Sequence, residues 1–143
     1  MRILIAEDDP MMQELISCFM EEYGFGYDIV SNGREAVEKA EEHCSEYDLY
    51  IVDIKMPVMN GLEAITRIRR RNHHLPVLIT TAMEIPEYLF KEVMVDGYLR
   101  KPFDLDQLYS KIMEIAGRDN NGLFGPGICR EEREVAYKAF ICS

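Results

Sequence analysis

Apolar residues fall along this chain in short unbroken runs, separated by longer stretches in which they recur every three or four positions. Ile3-Leu4-Ile5-Ala6 is the first run, with Arg2 ahead of it. It lacks in–out alternation, which suits a strand buried on both faces, as in a parallel sheet. Residues 10–23 then predict a helix. Pro10 sits in its first turn, Met12, Leu15, Phe19 and Met20 line one side, and Glu14, Glu21 and Glu22 lie largely off it. Gly24 and Gly26 end that helix. Tyr27-Asp28-Ile29-Val30 predicts a second strand and Ser31-Asn32-Gly33 a turn. Residues 34–44 predict a second helix with Ala36, Val37 and Ala40 inward.

Leu49-Tyr50-Ile51-Val52 predicts the third strand, ending at Asp53, and a loop with Pro57 and Gly61 leads to a helix over about 62–71. Residues 76–80 predict a fourth strand, 86–94 a helix, Gly97-Tyr98-Leu99 a short fifth strand, and 105–116 a last helix. Strand and helix alternate throughout. That is the pattern of a doubly wound α/β sheet with helices on both faces. In such sheets the binding crevice lies at the carboxyl ends of the strands. Here those ends carry Glu7-Asp8-Asp9, Asp53, Thr81 and Lys101.

Composition narrows the picture. With 143 residues, 48% of them apolar, the chain suits one globular domain with a core. No apolar run approaches the roughly 20 residues of a membrane span, and the first run meets acids after four residues. A cytoplasmic protein without membrane insertion is expected. The net charge is -10, and all the acid excess lies in residues 1–116, with 12 Lys/Arg against 22 Asp/Glu; residues 117–143 hold four of each. Such a balance favours a cation or a basic partner and opposes direct nucleic-acid binding. The one dense basic patch, Arg67, Arg69, Arg70 and Arg71, reads as the solvated end of a helix. Cys18, Cys44, Cys129 and Cys142 lack metal-site spacing, which fits a reducing compartment, and Cys18 is expected in the core.

Gathered carboxylates repel and raise one another's pKa unless a cation joins them. Glu7, Asp8 and Asp53 therefore point to a hard, oxygen-liganded ion, Mg²⁺ with Mn²⁺ as the alternative. Lys101 adds a fixed positive charge and Thr81 a hydroxyl. A carboxylate nucleophile, a hard metal, an ammonium and a hydroxyl match phosphoryl transfer to a carboxylate.

Four segments carry a family resemblance over about residues 2–116. They are Ile3-Leu4-Ile5-Ala6-Glu7-Asp8-Asp9-Pro10, residues 51–61 (Ile51-Val52-Asp53-Ile54-Lys55-Met56-Pro57 through Gly61), Ile79-Thr80-Thr81-Ala82, and Tyr98-Leu99-Arg100-Lys101-Pro102-Phe103. Together they resemble the receiver domain of two-component response regulators, the CheY-like superfamily. The resemblance implies a (βα)5 flavodoxin-like sandwich with a central five-stranded parallel sheet. It implies Asp53 as phosphoacceptor, and Mg²⁺ held by Glu7, Asp8, Asp53 and the backbone carbonyl of Lys55. Thr81 would bond a phosphoryl oxygen, Lys101 would pair with the phosphoryl group or Asp53, and Tyr98 would be an aromatic switch coupled to Thr81. Pro57 and Gly61 would shape the loop, Gly61 by allowing a turn that a side chain opposes, and the Lys101–Pro102 bond would be cis. The side chain of Lys55 would influence the lifetime of the acyl phosphate. The partner implied is a histidine kinase or a histidine phosphotransfer protein.

The chain departs from the family in two places. Thr81 and Lys101 are 20 positions apart, two fewer than usual. The segment between them is rich in apolar residues (Ile85, Tyr88, Leu89, Phe90, Val93, Met94, Val95), which core packing explains in part and a homodimer or partner face from Ile85 to Ile115 explains otherwise. Residues 117–143 read as a turn-rich link followed by one short helix, or as the start of an output region. The reading is thus a phosphorylation-dependent signalling switch, with intrinsic Mg²⁺-dependent gain and loss of phosphate rather than conventional enzyme turnover. The alternatives are a phosphate-independent interaction module, the N-terminal fragment of a transcriptional regulator, and a small phosphohydrolase.

Overall fold

The computed structural model describes residues 1–43, 46–72, 75–84, 86, 88, 92, 93 and 95–118. Its elements run β1 (Arg2–Ala6), α1 (Pro10–Glu22), β2 (Gly26–Val30), α2 (Gly33–Glu42), β3 (Leu49–Asp53), α3 (Gly61–Arg71), β4 (Val77–Thr81), β5 (Gly97–Arg100) and α4 (Leu105–Arg118). The five strands form one parallel sheet in the order β2-β1-β3-β4-β5. This is the expected doubly wound sheet, with the chain reversing its winding direction between β1 and β3.

Strand alternation sorts the core into two layers. Leu4, Ala6, Tyr50, Val52, Val77 and Ile79 face α2 and α3, meeting Ala36, Val37, Ala40, Ala64, Ile65 and Ile68. Ile3, Ile5, Leu49, Ile51, Leu78 and Leu99 face α1 and α4, meeting Ile16, Phe19, Met20, Leu108, Ile112 and Ile115. Each of the first three helices begins at a side-chain cap: Asp9, Asn32 and Asn60 accept the backbone N–H of Met11, Glu35 and Glu63. Arg69, Arg70 and Arg71 fill the last turn of α3, where cations oppose the negative helix end. Arg67 pairs with Glu63 and Arg69 with Asp96, so the basic patch is largely engaged within the domain.

Two expectations are corrected. Cys18 is exposed rather than in the core, and Leu15 is 42% exposed. The inner stripe of α1 is set by Ile16, Phe19 and Met20, at i, i+3 and i+4, and at about 100° per residue Cys18 falls on the far side. Within the stretch from Ile85 to Ile115, Leu108, Ile112 and Ile115 of α4 are buried in the core. In the preceding segment Val93 and Val95 pack on the α2–α3 layer while Tyr88 is exposed. Ile85, Leu89, Phe90 and Met94 lie outside the described residues, as do most of the helix expected over 86–94, the segment 119–143 and Cys44, Cys129 and Cys142. No helix among the described residues is long and apolar enough to cross a membrane.

Candidate functional site

The sheet register assembles the site. Ala6 pairs with Val52, so the next residues, Glu7 and Asp53, leave adjacent strand ends side by side. Asp53 pairs with Thr80 on β4, and Thr81 with Arg100 on β5; the backbone N–H of Lys101 donates to the Thr81 carbonyl at 2.8 Å. Four strand ends thus deliver Glu7, Asp53, Thr81 and Lys101 to one rim, with Asp8 following Glu7.

Glu7 and Asp53 are buried and Asp8 is exposed. One carboxylate oxygen from each of the three lies within 4.8 Å of the others. Lys101 Nζ donates to Glu7 Oε2 at 2.8 Å and to Asp53 Oδ2 at 2.9 Å. The backbone N–H of Asp9 donates to Glu7 Oε1 at 3.2 Å, and that of Lys55 to Asp53 Oδ1 at 3.3 Å. Burial raises the Glu7 pKa, and the nearby Lys101 ammonium only partly offsets it. Burial works against the charge of Lys101, but its bonds to Glu7 and Asp53 prevail and hold its pKa above the ordinary value. Three carboxylates against one ammonium leave a charge of about -2, all on oxygen donors. That donor set fits a small divalent cation such as Mg²⁺, held by Glu7, Asp8 and Asp53.

Thr81 lies on the same rim as this cluster. Thr81 is fully buried, and its hydroxyl oxygen accepts the N–H of Met83 at 3.2 Å. Accepting leaves its own O–H for an incoming oxygen. Tyr98 is half-buried, and its hydroxyl donates to the Met83 carbonyl at 3.3 Å, strapping the end of the β4 segment to β5. The Lys101–Pro102 peptide is cis, as expected. The Lys55 side chain is exposed beside the site.

Gly61 sits where a side chain would be opposed, as expected. Its φ is not left-handed; the constraint is space. A Cβ there would run into the Asp53 carbonyl oxygen and stand 2.9 Å from Ile54 Cα and Val52 Cγ2, while the Gly61 N–H donates to the Ile54 carbonyl at 2.8 Å. The left-handed residue is Val58, at φ 68°, between a Pro57 carbonyl and a Met59 N–H that bond at 2.7 Å. This γ-turn is strained for a β-branched residue. Gln13 and Ser31, which brace the backbone at Glu7, also went unnoticed in the sequence. Val58 stood in a turn-rich loop, which was a signal; Gln13 gave none.

The family profile for the response regulator receiver domain matches residues 3–113. The chain belongs to that family. Among curated relatives of the receiver domain is the transcriptional regulatory protein TcrA of Mycobacterium tuberculosis, 34% identical over 119 residues, which are 82% of this chain and 46% of TcrA. The chain spans about half the length of the curated relatives it matches. Among solved structures it is similar to the response regulator TrrA of Thermotoga maritima in complex with Mg²⁺ and BeF, at 32% identity and TM-score 0.70, covering 80% of this chain and 97% of that one. TrrA in complex with the histidine kinase ThkA is similar at 32% identity and TM-score 0.69, with the same coverage.

Proposed function

We propose that this receiver domain is a phosphorylation-controlled signalling switch that takes a phosphoryl group on Asp53 from a histidine kinase or histidine phosphotransfer protein. The observation that carries the reading is the bridge of Lys101 between Glu7 and Asp53, beside a carboxylate cluster with room for a cation. It is supported by the likeness to a regulator solved with Mg²⁺ and BeF and also with its kinase.

A carboxylate oxygen of Asp53 forms the new O–P bond as the P–N bond of a phosphohistidine breaks. The electron pair stays with the imidazole, which takes up a proton. Lys101 stands where it can shift from the Asp53 carboxylate to a phosphoryl oxygen, and the Thr81 O–H can donate to another. Bound at Glu7, Asp8, Asp53 and the Lys55 carbonyl, Mg²⁺ would neutralise charge on the phosphoryl oxygens. Attack by water on the acyl phosphate then returns the carboxylate and inorganic phosphate. Recruitment of Thr81 draws on Met83, which Tyr98 holds, so the β4–β5 surface changes with phosphorylation and a partner binds one state better than the other. The location of this switch is cytoplasmic.

Phosphoramidate supplies the same P–N bond in a small donor. The domain should gain a hydroxylamine-labile phosphoryl group from it, only with Mg²⁺. A label stable to hydroxylamine would rule out an acyl phosphate.

A further inference from the structure

The backbone at Glu7 is held from both sides. Its N–H donates to the Val30 carbonyl at 3.0 Å. Its carbonyl accepts Nε2 of Gln13, in α1, at 2.6 Å, and the same Nε2 reaches Ser31 Oγ, beyond β2, at 3.1 Å. The amide therefore ties the ends of β1 and β2 together with both its hydrogens. The Glu7 carbonyl belongs to the peptide that leads into Asp8. That unit is planar, so fixing the carbonyl fixes the direction in which the Asp8 Cα leaves. Asp8 needs this, because its carboxylate is exposed and no donor among the described residues holds it. Its place within 4.8 Å of the Glu7 and Asp53 oxygens is set by the backbone beneath it.

We infer that Gln13 is a positioning residue of the cation site: by orienting the Glu7–Asp8 peptide it brings the Asp8 carboxylate to those of Glu7 and Asp53 and so sets the affinity for Mg²⁺. The inference rests on reading this cluster as the Mg²⁺ site. A neutral amide suits the task. It offers two hydrogens to two acceptors, whereas an apolar side chain would leave the half-buried carbonyl without a donor, and a carboxylate would repel it.

The test is a titration of the full ¹⁵N-labelled chain with MgCl₂, following the Asp8 and Asp53 amides by NMR, with urea midpoints in EDTA to confirm that each variant is folded. Gln13→Leu should weaken Mg²⁺ binding about tenfold, the lower end of what outer-shell partners of a metal contribute. Gln13→Glu separates positioning from charge: it should also weaken binding, although it adds a negative charge near a cation. Ser31→Ala, which frees the amide on one side, should give a smaller loss in the same direction. A Gln13→Leu affinity within about twofold of the parent, or a tighter Gln13→Glu, would overturn the inference. A parent chain that shows no response to Mg²⁺ would instead overturn the reading of the site.

Discussion

Replacing Gly61 by Ala adds one methyl group at the tightest backbone contact of the site. Ordinary contact for a Cβ begins near 3.4 Å, and this one would meet Ile54 Cα and Val52 Cγ2 at 2.9 Å and press harder still on the Asp53 carbonyl oxygen. The neighbours would have to retreat by at least about 0.5 Å. Two of the three are backbone atoms of β3 and its exit, so no side-chain rotation relieves the overlap. Overpacking costs about 1–3 kcal/mol in general, and an unyielding backbone places this case near about 3 kcal/mol. For a domain of this size that is a fall in Tm of about 10 °C. The displaced atoms carry Asp53, and a shift of this order should slow its phosphorylation at least about tenfold. Thermal melts in EDTA and phosphorylation time courses read the two effects. Gly117, exposed in α4 with nothing within 4 Å of an added Cβ, is the control. Gly117→Ala should raise stability by about 0.5 kcal/mol through helix propensity. A Gly61→Ala loss below about 0.5 kcal/mol, the size of an ordinary surface substitution, would refute the steric argument.

Lys101→Ala leaves Glu7 and Asp53 buried without their ammonium, and should cost about 3 kcal/mol in EDTA, with most of it recovered in Mg²⁺; equal losses with and without Mg²⁺ in melting curves would contradict the shared role of the two cations. Tyr50 is fully buried in β3 and its hydroxyl has no partner among the described residues, so Tyr50→Phe should raise the unfolding free energy from urea melts by about 1 kcal/mol, and a loss of stability would mean the hydroxyl is satisfied. The Glu7 carboxyl, raised above its ordinary 4.5, binds its proton more readily folded than unfolded. Its contribution is therefore full below about pH 4.5 and lost as pH rises through the folded value, so in EDTA the domain should gain stability from this group as pH falls from 7 towards 5, and Glu7→Gln should flatten that slope in urea melts.

The fold was legible because its signals are local. Runs such as Ile3–Ala6 and Val77–Thr81 carry no alternation, and only a sheet covered on both faces accepts that. The site was legible for a related reason: once strands are placed, their carboxyl ends follow, and Glu7, Asp53, Thr81 and Lys101 were named from position alone. What escaped depends on distance rather than pattern. The exposure of Cys18 and Leu15 turns on which part of α1 meets the sheet, and the apolar residues of that helix, Met11 and Cys18 as well as Ile16 and Met20, form too broad a band to settle it. The crowding at Gly61 arises where α3 starts against the end of β3, and the bonds of Gln13 to Glu7 and Ser31 join elements whose approach no single segment encodes. Asp96 is similar. It accepts the Val77 N–H and an Arg69 N–H at once, closing the start of β4 in a region where the sequence showed only a departure from the family pattern.

Asp53 as the phosphoacceptor is tested by the intact mass of the chain after incubation with acetyl phosphate and Mg²⁺, beside an Asp53→Ala variant shown to be folded. The parent chain should gain one phosphoryl group, and the variant, like the parent in EDTA, none. No gain by a folded parent under conditions that phosphorylate another receiver domain, or an equal gain by Asp53→Ala, would contradict Asp53 as the phosphoacceptor.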